Sequence, residues 1–568
     1  MKKTQLKAIL AVFTLVLAAS CSDDQENPKY DVIISGGTIY DGSGGAPYVG
    51  DIALEGDRII AIGDLDEASA ITVIDAAGLA VTPGFINMLS WAPETLMVNG
   101  AGLSDLKQGV TLEVFGEGWS YGPWSDAMKE ENLKRQTDFK YQIEWTTLGQ
   151  YLEFMEAKGT AMNIASFVGA TTLRIHEVGY EDRAASPEEL AAMQELARQA
   201  MREGALGLAS SLIYAPANFA STEELIALAA AVGEYGGMYI SHLRSESGQI
   251  FEALDELFTI AREAGVWAEI YHLKASGKPN WDKLDGVFAR IEAARAEGLH
   301  ITADMYTYPA SATGLDAVIP LWTQEGGIDA WIERLKDPEV RARALAEMRD
   351  QANPSNRWNN VGPERILLIG FKNPDLKQYI GKYLSEVAEI RGEDPAETAL
   401  NLVVEDHTRV TVIYFSMTEE NVKKKIAQAW VAFDSDEGAY SDDEIFTRNS
   451  AHPRAYGTFA RVLGKYVRDE KIITLPDAIR RLTSFPAANL KIRERGFLRE
   501  GYFADIVIFD PAAIQDHATF ENPRQYATGV IHVFVNGEQV LENGEHTGSY
   551  PGRVVRGPGW EGWHDEDH

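Results

Sequence analysis

The sequence predicts an α/β protein built on a (β/α)8 TIM-like barrel, with a small β-sandwich made from both chain ends and an α-rich insertion. Three observations carry this expectation. From Gly84 onward, short apolar runs such as "GVTLEVF", "TAMNIASFVG", "GMYISHL", "VWAEIYHL", "LHITADMY" and "AWVAFD" alternate with helical segments such as "SPEELAAMQELARQAMREG" and "GQIFEALDELFTIAREAG". Short buried strands alternating with helices make parallel βαβ units, and this many of them suggest a closed barrel over residues 84–494. Both ends of the chain instead carry β-type runs broken by Gly, Asp and Asn-Gly turns: "YDVIISGGTIYDGSGG" at the front, "GYFADIVIFD" and "GVIHVFVNGEQVLENGEHTG" at the back. Neither end is large enough to stand alone, so residues 30–83 and 495–556 are expected to form one sandwich beside the barrel. Between Leu315 and about Lys424 the strand–helix rhythm loosens into charged helices with loops such as "DQANPSNRWNNVGPE", which reads as an insertion over about 316–424.

Individual segments support this division. Ser221-Thr222-Glu223-Glu224 reads as a capping box opening one barrel helix. The glycines near the front invite a dinucleotide loop, but no G-x-G-x-x-G opens a helix there, so that fold is discounted.

The 568 residues include 45% hydrophobic and 10% aromatic side chains, the composition of a globular protein with a large core. The net charge of −33, from 52 basic and 85 acidic residues, argues against a nucleic-acid partner, because phosphate contacts need Lys/Arg patches. The first 21 residues have a basic start, an apolar run from Ala8 to Ala19 and small residues before Cys21. That run is too short to favour a spanning helix. The segment resembles a bacterial lipoprotein signal ending at a lipidated Cys21, followed by a tether over 22–29; an ordinary secretory signal is the alternative. The expected location is therefore the bacterial cell envelope, as an outer-membrane lipoprotein touching the membrane only through that anchor. Cys21 is the sole cysteine, so the mature chain has no disulfide and no thiolate for a metal.

Active sites of such barrels lie at the C-terminal ends of the strands, so polar residues that end apolar runs are the candidates. Glu117 ends "TLEVFGE", His242 ends "MYISH", His272 ends "WAEIYH" and Asp436 ends "WVAFDSD". A lone strand-end histidine is more often a hydrogen-bonded core residue, but two at matching ends of consecutive strands point to a metal. Two imidazoles and two carboxylates suit one divalent cation; zinc accepts this set, and the oxygen share also permits Mn, Fe or Co. Glu113, four positions before Glu117 on the same strand, competes with it as the carboxylate that matters.

The chain resembles the D-aminoacylase (N-acyl-D-amino-acid deacylase) branch of the amidohydrolase superfamily over about Tyr30 to Arg556. The motifs are "ISGGTIYDGSG", "VTPGFI", "GALGLASSLIYAPANFASTEEL", "YISHLRSE", "YHLKASG", "DMYTYPASAT", "HPRAYGTFARVLGKYVRDE", "LTSFPAANL" and "RGFLREGYFADIVIFDP". The resemblance implies roles at matched positions. His242 and His272 would hold the tightly bound ion, and Asp436 would be the general base and acid. Arg454 would pair with the substrate's α-carboxylate, with Tyr214, Tyr306 and Lys274 beside the substrate.

The chemistry agrees. A bound cation lowers the pKa of its water from ~15.7 to ~7 and polarises an amide carbonyl, a positioned carboxylate moves the proton, and an arginine suits bidentate capture of a carboxylate.

The pattern also breaks. The His-x-His expected after "PGFI" is replaced by Leu89 and Trp91, and the preceding Asp by Asn87. The family's cysteine ligand falls at Gly118, next to Glu117, and the "vGH" histidine at Ala170. The expectation is thus a single divalent ion, zinc for preference, held by Glu117, His242, His272 and Asp436, in an enzyme that deacylates small N-acyl amino acids, the D forms first. The alternatives are an amidohydrolase acting on a cyclic amide, lactone or dipeptide, and an inactive lipid-anchored binding protein.

Overall fold

The computed structural model describes residues 29–353 and 356–564. The expected leader and Cys21 lie outside the described residues. Among the described residues no helix is long and apolar enough to cross a membrane.

Apolar runs of three to six residues between helices have no edge to leave unpaired if they close on themselves, and they do. Phe85–Asn87, Val110–Phe115 and Asn163–Ser166 pair in parallel, as do Gly207–Ser211, Met238–His242, Ala268–Ile270 and Ile301–Ala303. Val168–Gly169, just beyond Ser166, joins the two sets by pairing with the strand at Gly207. Residues 430–434 close the ring: Val431 bridges Ala303 in parallel, and Phe433 O accepts the Met88 N–H at 3.4 Å. Alternate strand residues fall into two apolar clusters. Ile86, Leu112, Ala165, Ala209 and Ile240 share one, whereas Phe85, Phe115, Ile164, Leu208 and Tyr239 pack with the surrounding helices. His242 has the parity of Ile240, which sends its ring inward.

The Ser221 hydroxyl does cap its helix, accepting the Glu224 N–H at 3.2 Å. The reciprocal half of the expected box is missing, because the Glu224 carboxylate turns to Arg174 at 2.7 Å instead.

The strand-rich ends meet directly: Ala80–Pro83 pairs antiparallel with Ile506–Phe509 inside one nine-stranded sheet. The long strand Tyr30–Ile39 joins its parts, pairing with Ala70–Asp75 along its first half and with Ala80–Val81 near its end. A buried polar knot ties this sheet to the barrel. Arg495 is ion-paired with Asp505, its other nitrogen reaches Asn536 at 2.7 Å, and Asn536 donates to Asn163 of the barrel at 2.8 Å.

The insertion is helix-rich as expected, and it also brings two strands, Thr411–Tyr414 and Ile366–Gly370, into an antiparallel sheet with Ser311–Gly314 just before it, Thr411–Tyr414 lying in the middle. It also has its own core around Leu315, Trp331, Ile366 and Leu400. Short runs such as "TVIY" are too brief to read as strands from the sequence alone, and only their pairing makes them so. Ser311–Gly314 matters for function because it delivers backbone to the mouth of the barrel.

Removing one partner of a buried ion pair strands the other, at a cost of about 3–5 kcal/mol. Arg495→Ala is therefore expected to lower the unfolding free energy by about 3 kcal/mol or more in denaturant titrations; no measurable change would show the knot to be dispensable.

Candidate active site

The strand ends converge on Glu117. Its Oε1 accepts from His242 Nδ1 at 2.8 Å and from His272 Nε2 at 3.0 Å. All three side chains are buried, and each offers one ligand atom within 4.8 Å of the others. Backbone geometry places them there. Gly118 follows Glu117 with φ +68°, and a Cβ on it would come within 2.6 Å of Ser211 Oγ and 2.8 Å of the Ser211 nitrogen. A cysteine at 118 would collide with the neighbouring strand, so the carboxylate one residue earlier faces the histidines. His272 sits at φ +35° and Asp436 at φ +48°, left-handed conformations that non-glycine residues seldom adopt and that cluster at functional sites. Both are held by backbone hydrogen bonds: the His272 N–H to Asp304 Oδ1, and the Asp436 N–H to Leu89 O at 3.0 Å.

Behind the histidines lies Glu246, a buried carboxylate to which the sequence analysis gave no role although it stands in "YISHLRSE". Its oxygens lie 3.2 Å from His272 Nδ1 and 3.5 Å from His242 Nε2, and Lys274 Nζ reaches it at 2.6 Å. The inner ring nitrogens thus face Glu117 and the outer ones face Glu246. A carboxylate behind a histidine fixes its tautomer and aim in metal centres. Its spacing, four residues after a strand-end histidine, was the available signal. Burial pushes Glu117 up, but hydrogen bonds from His242 and His272 outweigh it and hold this carboxylate far below its usual range. Burial and Lys274 pull His272 down, while Asp436, Glu117 and Glu246 more than compensate and raise it to about 9. The donor set of two imidazoles and one carboxylate fits a divalent ion such as zinc, with room for a further ligand.

The remaining expected residues divide. Asp436 lies beside this trio, not within it. Its Oδ2 is 2.6 Å from Arg454 NH1, and its Oδ1 accepts from Trp91 Nε1 at 3.2 Å. The guanidinium and the indole thus each engage one oxygen of this carboxylate. Burial raises Asp436, with Arg454 and His272 pulling against that rise. Arg454 is paired with Asp436, packs over the Tyr306 ring at 4.5 Å and keeps an Nε with no hydrogen-bond partner. Tyr306 is buried beneath that guanidinium. Tyr214 lines the cavity, with its hydroxyl 2.7 Å from Thr313 just before the insertion. Lys274 also lines it, 2.8 Å from His272 Nδ1. Glu113 stands apart from the three-residue cluster and accepts from Asn87 at 2.9 Å.

The cavity above these groups has a volume of about 560 Å³. Its walls add Arg135, Arg357 and Arg409 to Lys274 and Arg454, against Glu117, Glu246, Asp436 and Glu437. Arg357 and Arg409 come from the insertion, where no motif marked them.

The amidohydrolase family model matches residues 72–541. The D-aminoacylase of Alcaligenes xylosoxydans xylosoxydans is 35% identical over 540 residues, covering 94% of this chain and 99% of its own. A solved D-aminoacylase, described for its binuclear metal centre with one-metal activation and second-metal attenuation, is 33% identical with a TM-score of 0.77, covering 93% of this chain and 100% of its own. The N-acyl-D-glutamate deacylase of Bordetella bronchiseptica, solved with zinc and a phosphonate mimic of the tetrahedral intermediate, is 29% identical with a TM-score of 0.77 over the same shares. The chain belongs to the amidohydrolase family. Within that family it is an amidohydrolase of the D-aminoacylase-like branch.

Burial raises Glu113 from 4.5 to about 7, against hydrogen bonds from Ser90 and Asn87. A carboxyl whose folded pKa lies above its unfolded one favours the fold below the unfolded value and loses that contribution as pH rises through the folded value. Stability is therefore expected to fall between pH 4.5 and about 7, and Glu113→Gln should flatten that slope in denaturant titrations at several pH values. An unchanged slope would place the titration elsewhere.

Proposed function

We propose that the protein hydrolyses the amide bond of N-acyl amino acids, the D forms first, using one divalent ion, zinc for preference. The observation that carries this reading is Glu117 Oε1 accepting from both His242 and His272, a three-residue cradle with Asp436 at its side. Held there, the ion would polarise the substrate carbonyl and make water a nucleophile near neutral pH.

The chain's own residues supply the rest. Asp436, oriented by Arg454 and Trp91, takes the proton of the attacking water at a free lone pair of Oδ1 and passes it to the departing amine. Arg454, with its unpartnered Nε, and the cavity arginines Arg357 and Arg409 offer donors for a substrate carboxylate. Glu246 and Lys274 keep the outer nitrogen of His272 engaged. Loss of His-x-His is compatible with turnover, since the solved D-aminoacylase is described as activated by one metal and attenuated by a second.

Purified protein is expected to contain one equivalent of zinc and to release amino acid from N-acyl-D-substrates in a metal-loaded screen that includes the L forms. No stoichiometric metal, or turnover of L forms alone, would overturn the proposal. Asp436→Asn should keep the metal and lose about 10²–10⁴-fold in kcat, the range of general acid–base contributions; a wild-type rate would remove Asp436 from that role.

A further inference from the structure

The side chain at the position of the missing second histidine makes contacts its residue type does not announce. Trp91 Nε1 stands 3.1 Å from Glu117 Oε2 and 3.2 Å from Asp436 Oδ1, so one indole N–H is shared by two carboxylates from different barrel strands. Glu117 Oε1 is already engaged by the histidines, which leaves Oε2 as the oxygen that Trp91 fixes. Asp436 has its other oxygen on Arg454. The indole N–H is the donor that the chain places between the two carboxylates. An indole is a donor only and cannot ligate a metal. It is also 43% exposed, with part of its ring forming cavity wall.

We propose that Trp91 is a positioning residue that limits the centre to one ion: its N–H occupies the place between Glu117 Oε2 and Asp436 Oδ1 where a second cation would otherwise sit, and it aims both carboxylates. This rests on the single-ion reading above and adds a cause for it. Leu89, buried in the barrel interior, contributes no donor, so the whole of the carboxylate contact at this edge falls to Trp91.

Two variants test it, with zinc content read by equilibrium dialysis and elemental analysis and with folding checked by thermal melting. Trp91→His replaces the donor by a ligand next to Glu117 Oε2 and Asp436 Oδ1. It is expected to take up two equivalents of zinc where the wild type takes one. Trp91→Phe keeps an aromatic ring and removes the N–H. It should retain one equivalent and lose on the order of 10²-fold in kcat with KM changed less than about threefold, the signature of lost orientation rather than lost binding. A Trp91→His variant that stays at one equivalent, or a Trp91→Phe variant with wild-type kcat, overturns the role of Trp91 while leaving the single-ion centre standing. A wild type that binds no zinc overturns the centre itself.

Discussion

Glu117 Oε1 accepts hydrogen bonds from the rings of His242 and His272, and much of the site's design follows from putting that carboxylate there. Three buried titratable groups from different strands can be kept together only if every lone pair and proton has an answer, because buried polar groups without partners are costly. The surroundings supply most of those answers, with His242 Nε2 left without a hydrogen-bond partner. Glu246 backs the two rings, Lys274 neutralises Glu246, and Trp91 meets the second oxygen of Glu117. Asp436 then completes a chain of charges that ends on Arg454. The left-handed backbone at His272 and Asp436 is held by hydrogen bonds from its own N–H groups, so local strain is opposed by the fixed frame of the barrel.

The same constraint explains how the site departs from its relatives' pattern. Gly118 has no space for a Cβ, since Ser211 lies against it. In the proposed centre the preceding residue, Glu117, supplies a carboxylate as ligand. A carboxylate has a second oxygen that a thiolate lacks, and that oxygen creates the need Trp91 meets. The insertion contributes from the other side: the strand Ser311–Gly314 just before it places Ala312 O near Arg454 and Thr313 against Tyr214, and its arginines enter the cavity wall.

Much of this was legible in the sequence. Short apolar runs between helices specified a closed parallel barrel, and polar residues at the ends of those runs marked Glu117, His242 and His272, because strand-end position translates directly into location. What stayed hidden depended on pairing across long separations. Glu246 and Trp91 stand on loops, where neither periodicity nor strand ends assign a direction. Tyr306 carries a matched motif, yet it is buried under Arg454, a contact 148 residues away that no local pattern encodes. The pairing of Arg454 with Asp436 at 2.6 Å likewise joins two segments that no local pattern connects. The insertion's sheet escaped notice because four-residue strands gain their identity only from partners such as Thr411–Tyr414.

The central claim is that Glu117, with His242 and His272, is the ligand set of a single ion. An anomalous difference map at the zinc edge, from crystals of zinc-loaded protein, tests it most directly. The account predicts one peak, within about 2.0–2.2 Å of a Glu117 oxygen and one nitrogen of each histidine. Two peaks in the unaltered protein, or a peak that Glu117 does not touch, would contradict it.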